Sequence, residues 1–262
     1  MHFTAVELGG WIGSFMWPLI RVSGFIMSMP IFTARGVPMQ ARMIFALAIT
    51  LVVIQPLPPG PAIDPLTAEG LLVAVQQVII GAALGFTLRL VFAAMVNAGH
   101  ITALGMGLGF ASMVDPSNGV QVPVISMFYN LMATLLFLAL DGHLVAIQVL
   151  AESFRVLPVG QIGLSAQAFY DLVLWGSWMF SGAMLLALPA TTAILMVNLA
   201  FGVMTRAAPQ LNIFAVGFPV VLLGGFMVVL LTLGSVGDVF VDLTEQALGL
   251  MRTLLLRQGS VP

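Results

Sequence analysis

The sequence has no cysteine and no lysine, and only 7% of its 262 residues are charged. Without cysteine the chain has no disulfide framework, no thiolate metal site and no cysteine nucleophile. Soluble domains carry about 25% charged residues, which keep their surfaces hydrated. Disordered chains combine high charge with low hydrophobicity, whereas 60% of this chain is hydrophobic. The composition therefore excludes both a soluble domain and a disordered chain.

The sequence also has few basic residues and lacks common enzyme motifs. All eight basic residues are arginines, and ten acidic residues leave a formal net charge of −2. Nucleic-acid phosphates bind clustered Lys and Arg, so nucleic acid is excluded as a partner. The sequence contains no HExxH, EF-hand, P-loop or G-x-S-x-G pattern. We therefore expect no catalytic residues, no metal, no cofactor and no enzymatic activity.

Long apolar runs are what the sequence does contain. A membrane-spanning helix needs roughly 20 mainly apolar residues. Runs of at least this length, each with at most one charge, cover residues 8–34, 36–57, 70–98, 116–140, 172–205 and 207–237. The sequence predicts an all-α polytopic membrane protein, in contact with membrane lipid, with about six long helices interrupted by Pro and Gly.

Two details refine this topology. The segments 143–155 and 239–257 mix charged and apolar residues at helical spacing, so we expect amphipathic helices there. A straight helix over residues 172–205 would be about 50 Å long, against about 30 Å of hydrocarbon. Either it is broken, with Pro189 as the place, or neighbouring protein covers part of it. The arginine bias of short loops predicts that residues 35–42 and 205–212 are cytoplasmic.

A glycine-rich segment follows the third run. Phe110 stands where a dinucleotide-binding fingerprint needs its third glycine. Each glycine weakens a helix by about 1 kcal/mol, so residues 104–122 are predicted to be irregular. They form either an ordinary surface loop or a pore-facing loop sheltered by protein, and their apolar character favours the latter. The candidate residues of this plug loop are Gly105, Met106, Gly107, Leu108, Gly109, Phe110, Met113, Asp115 and Pro116.

Isolated charged and polar residues provide further candidates. Arg21 and Arg89 lie inside apolar runs, where an arginine costs about 3 kcal/mol or more. Each either reaches the membrane surface or an internal partner, or contacts a neighbouring subunit. Asp141 and His143 follow an uncharged run. They mark either the junction of two helices or a proton relay.

Several segments, in this order, resemble the FliR family of flagellar biosynthetic proteins, which are export-gate subunits of type III secretion systems. The segments are Arg21–Phe25, Pro30–Phe32, Val37–Pro38, Gly105–Pro123, Asp141–His143 and Arg206–Phe214. The resemblance implies a structural subunit of the flagellar export gate in the bacterial inner membrane, at the basal body. With FliP-like and FliQ-like subunits and an FlhB-like protein, it would form the conduit for unfolded exported proteins.

The resemblance also implies an internal organisation for residues 1–262 as one export-gate domain. Residues 1–171 would be a FliP-like part, 172–236 a FliQ-like helical hairpin and 237–262 an amphipathic tail. An independent secondary transporter of a small solute is the alternative function, with Arg89, Asn97 and His100 as its polar site. Partner contacts at the hairpin tip are expected from Arg206, Pro209, Gln210, Asn212 and Phe214.

Overall fold

The described residues of the chain fold entirely into helices. The computed structural model describes residues 5–33, 36–58, 60–61, 63–108, 124–160, 163–208 and 213–257. This part contains seven helices and no strand, which confirms the predicted all-α class. The helices are α1 (Ala5–Ser28), α2 (Met39–Ile54), α3 (Ala68–Gly105), α4 (Val124–Ala139), α5 (Gly142–Val156), α6 (Ala166–Ala207) and α7 (Ile213–Leu256).

Three of these helices are long and apolar enough to cross a membrane by themselves. They are α3, α6 and the part of α7 over Gly217–Leu256, and a fourth span results if α4 and α5 act as one. α2 is apolar but has only 16 residues, about 24 Å of helix, which is shorter than the hydrocarbon layer. The chain is thus a multi-pass membrane protein, while the predicted six-span topology and its orientation stay predictions.

Two of the long helices run on past places where the sequence suggests a break. α6 continues through Pro189 as one helix, so the long run 172–205 does not end there. One proline removes a single backbone donor from a 42-residue ladder. α7 continues across residues 236 and 237 as one helix. A helical glycine such as Gly237 costs only about 1 kcal/mol, too little to end a 44-residue helix.

The segments expected to be amphipathic lie within two of these helices. α5 covers nearly the same residues as the predicted interfacial helix over 143–155. At the end of α7, Leu243 and Leu254 are buried whereas Glu245 and Arg252 are exposed. The charged positions of α7 therefore face away from the core, as the helical spacing predicts.

The chain divides into two compact units that share several helices. The first unit contains residues 1–90, 141–176 and 244–262, and the second contains residues 91–140 and 177–243. The predicted division into a FliP-like part, a FliQ-like hairpin and a tail follows different boundaries and stays a prediction.

Glycines bring α1 and α3 together in the first unit. A Cβ atom at Gly81 would overlap the backbone carbonyl oxygen of Arg21, and one at Gly85 would lie 2.6 Å from that of Phe25. On the facing side, a Cβ at Gly24 would lie 2.8 Å from the carbonyl oxygen of Val78. The two backbones are therefore in direct contact, the packing that small residues four apart allow in membrane helices.

Aromatic packing and another close glycine contact organise the second unit. Phe92 of α3 makes edge-to-face contacts with Phe137 of α4 and Phe240 of α7, at centroid distances of 5.6 and 5.9 Å. A Cβ at Gly99 would lie 2.6 Å from the Cα of Ser126. This unit is therefore built around α3, which packs against both α4 and α7.

The helices differ greatly in how much of their apolar surface the chain itself covers. Within the chain, 67% of the apolar part of α3 is buried, against 22% for α6 and 22% for α7. Exposed residues of α6 extend from Val173 to Val203. Such a surface is far larger than the apolar patches of soluble monomers, so lipid or other protein chains must cover it.

Candidate functional site

The glycine-rich segment begins with a regular helix end. α3 continues to Gly105, one residue beyond the predicted start of irregular backbone at 104, and a turn follows over 106–108. Gly107 has a φ of +78°. Its N–H donates to the carbonyl of Leu104, and the N–H of Leu108 donates to that of Ala103, at 3.0 Å each. This is a Schellman motif, in which the left-handed residue is usually glycine.

Met106 anchors this turn in the second unit. Its side chain is fully buried. A Cβ at Gly225 of α7 would lie 2.6 Å from the Cγ of Met106 and 2.9 Å from its Sδ, so the methionine lies directly on the glycine backbone. Gly105 faces α6, because a Cβ there would lie 3.8 Å from the Cγ2 of Ile194. The turn therefore contacts both long helices.

An apolar groove lies between α6 and α7 beside this anchor. Its volume is about 390 Å³. Its lining is formed by Ala193, Ile194 and Val197 of α6 and by Val220, Val221, Leu223, Gly224, Gly225, Met227 and Val228 of α7. The groove contains no charged side chain and therefore suits an apolar segment or an acyl chain rather than a polar solute.

The remaining residues of the predicted plug loop lie outside the described ranges. They are Gly109, Phe110, Met113, Asp115 and Pro116. Their assignment to a pore-facing loop stays a prediction.

The predicted hairpin tip falls between α6 and α7. Arg206 is exposed in the last turn of α6. Phe214 belongs to the first turn of α7, and Pro209, Gln210 and Asn212 lie outside the described ranges. The exposed Arg206 is placed where a partner can reach it, and the predicted partner contacts of the tip stay predictions.

Arg21 is a completely enclosed charged group of the first unit. Its side chain is fully buried and makes four hydrogen bonds. Nε donates to Oε1 of Gln77 at 2.7 Å, Nη1 to the carbonyl oxygen and Oγ of Ser153 at 2.9 and 3.1 Å, and Nη2 to the carbonyl oxygen of Leu157 at 2.8 Å. The guanidinium also lies 4.2 Å from the ring centroid of Phe154.

These contacts connect three helices without a carboxylate. Arg21 belongs to α1, Gln77 to α3, and Ser153 and Leu157 lie at the C-terminal end of α5. The last carbonyls of a helix carry partial negative charge, so they stabilise a cation. Arg21 was expected to reach the membrane surface, an internal partner or a neighbouring subunit. The structure gives it internal partners. Gln77 was not among the candidate residues, although a polar side chain within the apolar run 70–98 is a signal that could have identified it.

Arg89 has the opposite environment. It lies on α3 within the first unit and is exposed. The ion pairs of the described residues join Arg252 to Glu152 and Arg257 to Asp171. No described carboxylate lies within ion-pair distance of Arg89, although it stands in an equally apolar part of the sequence.

Asp141 and His143 stand at the junction between α4 and α5. Asp141 has a φ of +54°, and its carbonyl accepts hydrogen bonds from the N–H groups of Leu144 and Val145. Its own side chain is exposed, while His143 is half-buried and makes no described hydrogen bond through Nδ1. The pair therefore begins a helix. A role in a proton relay stays a prediction.

No group of three or more His, Asp or Glu within the described ranges is arranged to hold a metal ion.

Comparison with known proteins gives a consistent family. The family described as bacterial export proteins, family 1, matches residues 12–247. Flagellar biosynthetic protein FliR of Escherichia coli (strain K12) is 40% identical over 225 residues, 86% of each chain. The protein of the same name from Pectobacterium carotovorum is 36% identical over 260 residues, 99% of each chain. That of Bacillus subtilis (strain 168) is 27% identical over 250 residues, 94% of this chain and 96% of the relative.

Proposed function

Because the chain belongs to family 1 of the bacterial export proteins, we propose that it is a structural subunit of the flagellar type III export gate. In this proposal it assembles with FliP-like and FliQ-like membrane subunits, and an FlhB-like protein associates with the complex. The assembly lies in the bacterial inner membrane at the flagellar basal body. It forms the conduit for unfolded flagellar proteins, so the chain acts as a structural component rather than an enzyme.

The length and exposure of α6 and α7 carry this proposal. Helices of 42 and 44 residues are each about 60 Å long, roughly twice the thickness of the hydrocarbon layer. Apolar residues remain exposed from Val173 to Val203, about 45 Å along the helix axis. Lipid can cover only part of that length. Neighbouring subunits must cover the rest, as expected in a gate assembled from several membrane chains.

The glycine turn after α3 supports a role in closing the conduit. An export gate has to pass chains of many sequences while it leaks few ions. An apolar constriction excludes water when closed, and we propose that the segment from Gly105 to Pro116 forms one. Met106, buried against Gly225, would then hold the first residues of this segment in place.

The composition of the detergent-solubilised particle tests the proposed function. We expect the affinity-tagged chain, expressed with the flagellar export genes, to elute with two other small membrane proteins in a fixed ratio. Mass measurement of the intact particle gives that ratio. A stable solitary chain that transports a small solute by itself would instead establish the alternative, an independent secondary transporter.

Ion leakage tests the proposed gate. A Cβ at Gly225 would meet three atoms of Met106 within 2.9 Å, whereas one at the neighbouring Gly224 would meet no atom within 4 Å. We therefore expect Gly225→Ala to displace Met106 and raise the ion conductance of membranes that contain the assembled complex. Gly224→Ala is the matched control and should leave conductance unchanged.

Deletion of residues 106–114 should raise the conductance further, because it removes the proposed constriction itself. If this deletion leaves conductance unchanged in an intact complex, the segment does not close the conduit.

A further inference from the structure

The exposed side of α3 carries a regular stripe of residues. Val75, Ile79, Ala82, Phe86 and Arg89 follow one another at spacings of four and three residues, so they lie on one face of the helix. All belong to the first unit. We name these five residues the outer stripe of α3.

The outer stripe has the width of a single helix contact. The four-three spacing is that of the seam along which two helices pack side by side. Val75 is 49%, Ile79 37% and Phe86 41% exposed, although 67% of the apolar part of α3 is buried within the chain. The chain therefore covers α3 on its other sides and leaves open a strip that one further helix can fill.

Arg89 restricts the chemistry of that helix. An arginine in an apolar environment needs hydrogen-bond acceptors, and Arg21 of the same unit makes four hydrogen bonds. No described carboxylate pairs with Arg89. Arg89 lies nine residues before the end of the run 70–98, about 13 Å along the helix. An arginine at that depth facing lipid costs several kcal/mol, so a carboxylate opposite it would stabilise the contact strongly.

This chain has no carboxylate inside any of the six apolar runs of its sequence. The helices α6 and α7 do contain acids, Asp171 near the start of α6 and Asp238, Asp242 and Glu245 in the C-terminal half of α7. None of them lies within an apolar run, so a second copy offers no acid there to place opposite Arg89. We propose that the outer stripe of α3 binds a membrane-spanning helix of a different subunit, and that this helix carries an Asp or Glu within its apolar stretch, paired with Arg89. The inference rests on the hetero-oligomer proposed above, and it specifies which face of the chain a partner occupies.

Photo-crosslinking from the outer stripe tests this inference. The phenyl ring of Phe86 is replaced by the benzophenone of p-benzoylphenylalanine, in the full chain expressed with the export genes. We expect irradiation of native membranes to attach it to another membrane protein. Peptide mass spectrometry should then locate the attachment site in an apolar stretch that contains an acidic residue.

A variant without the charge of Arg89 distinguishes a specific ion pair from a partner helix that is only nearby. Arg89→Gln should reduce the crosslinked yield by about tenfold or more, because removal of one partner of a buried charge pair weakens binding by at least that factor. Arg89→Lys should retain most of it. The same crosslinker at Phe128 of α4, which is 42% exposed, controls for assembly and should give the same products with and without Arg89→Gln.

Four other crosslinking results would overturn the inference. Attachment to phospholipid alone, attachment to a second copy of this chain, an attached peptide without an acidic residue, or a yield unaffected by Arg89→Gln would each do so. The fixed subunit ratio of the solubilised particle is measured on the same preparation. A solitary chain there would refute the proposed function, whereas an intact complex with crosslinks only to lipid would refute the docking of α3 alone.

Discussion

Replacing Gly81 with alanine should lower the free energy of unfolding of the isolated chain by about 1–3 kcal/mol or more, because the new Cβ overlaps backbone rather than a movable side chain. That Cβ would meet the carbonyl oxygen of Arg21 and lie 2.9 Å from the backbone nitrogen of Phe25. α1 and α3 would have to move apart, which would also loosen the close contact at Gly85. Unfolding of the purified chain in mild detergent by added dodecyl sulfate, followed by circular dichroism, measures the change.

The control for Gly81→Ala is the same substitution at Gly249. This glycine lies within α7 and belongs to the same unit, and a Cβ there would meet no atom within 4 Å. Alanine should stabilise the helix at this position by about 0.5–1 kcal/mol, since it loses less conformational freedom on folding than glycine. Equal effects of the two substitutions would contradict direct backbone contact between α1 and α3.

Replacing Arg21 with methionine is expected to destabilise the chain by about 2–5 kcal/mol, because at least two buried acceptors lose their donor. Methionine fills much of the space but leaves Oε1 of Gln77 and the carbonyl of Leu157 without the donors they have now. Buried acceptors without a donor cost about 1–3 kcal/mol each. The same detergent unfolding experiment measures the loss.

Two further variants distinguish the shape of the guanidinium from its charge. Arg21→Lys keeps the positive charge, but a single ammonium group cannot reproduce the fork that reaches α3 and α5 together. We expect it to be intermediate between the parent and Arg21→Met. Arg155→Ala removes an exposed arginine of α5 and should change stability by less than about 0.5 kcal/mol. An Arg21→Met chain as stable as the parent would show that these hydrogen bonds do not stabilise the unit.

Helix positions were largely predictable from the sequence, whereas helix ends were less so. The runs 172–205 and 207–237 mark α6 and α7, because a scarcity of charge over so many residues is itself a property of the sequence. No break occurs at Pro189, and α7 runs across the boundary expected after residue 236. Both outcomes depend on whether backbone hydrogen bonds continue across a weak helix former, and the neighbouring turns of a long helix outweigh one unfavourable residue.

The start of the candidate plug segment was predicted in outline. Glycines at 105 and 107 mark the end of α3 because glycine adopts the left-handed conformation without strain. Sequence spacing does not reveal that Met106 lies on Gly225, since 119 positions separate the two residues. That contact depends on the packing of α3 against α7.

The sequence by itself determined that this chain is an all-helical membrane protein without enzyme motifs. Hydrophobicity and charge are read directly from consecutive residues and do not depend on contacts between distant parts of the chain. Only the tertiary structure decided between Arg21 and Arg89, which the sequence places in similar apolar runs. α3 and α5 meet α1 around Arg21 and supply its acceptors, whereas Arg89 lies on the one face of α3 that the chain leaves open. Whether the chain can bury a charged side chain depends on the hydrogen-bond partners that folding brings to it from distant parts of the sequence.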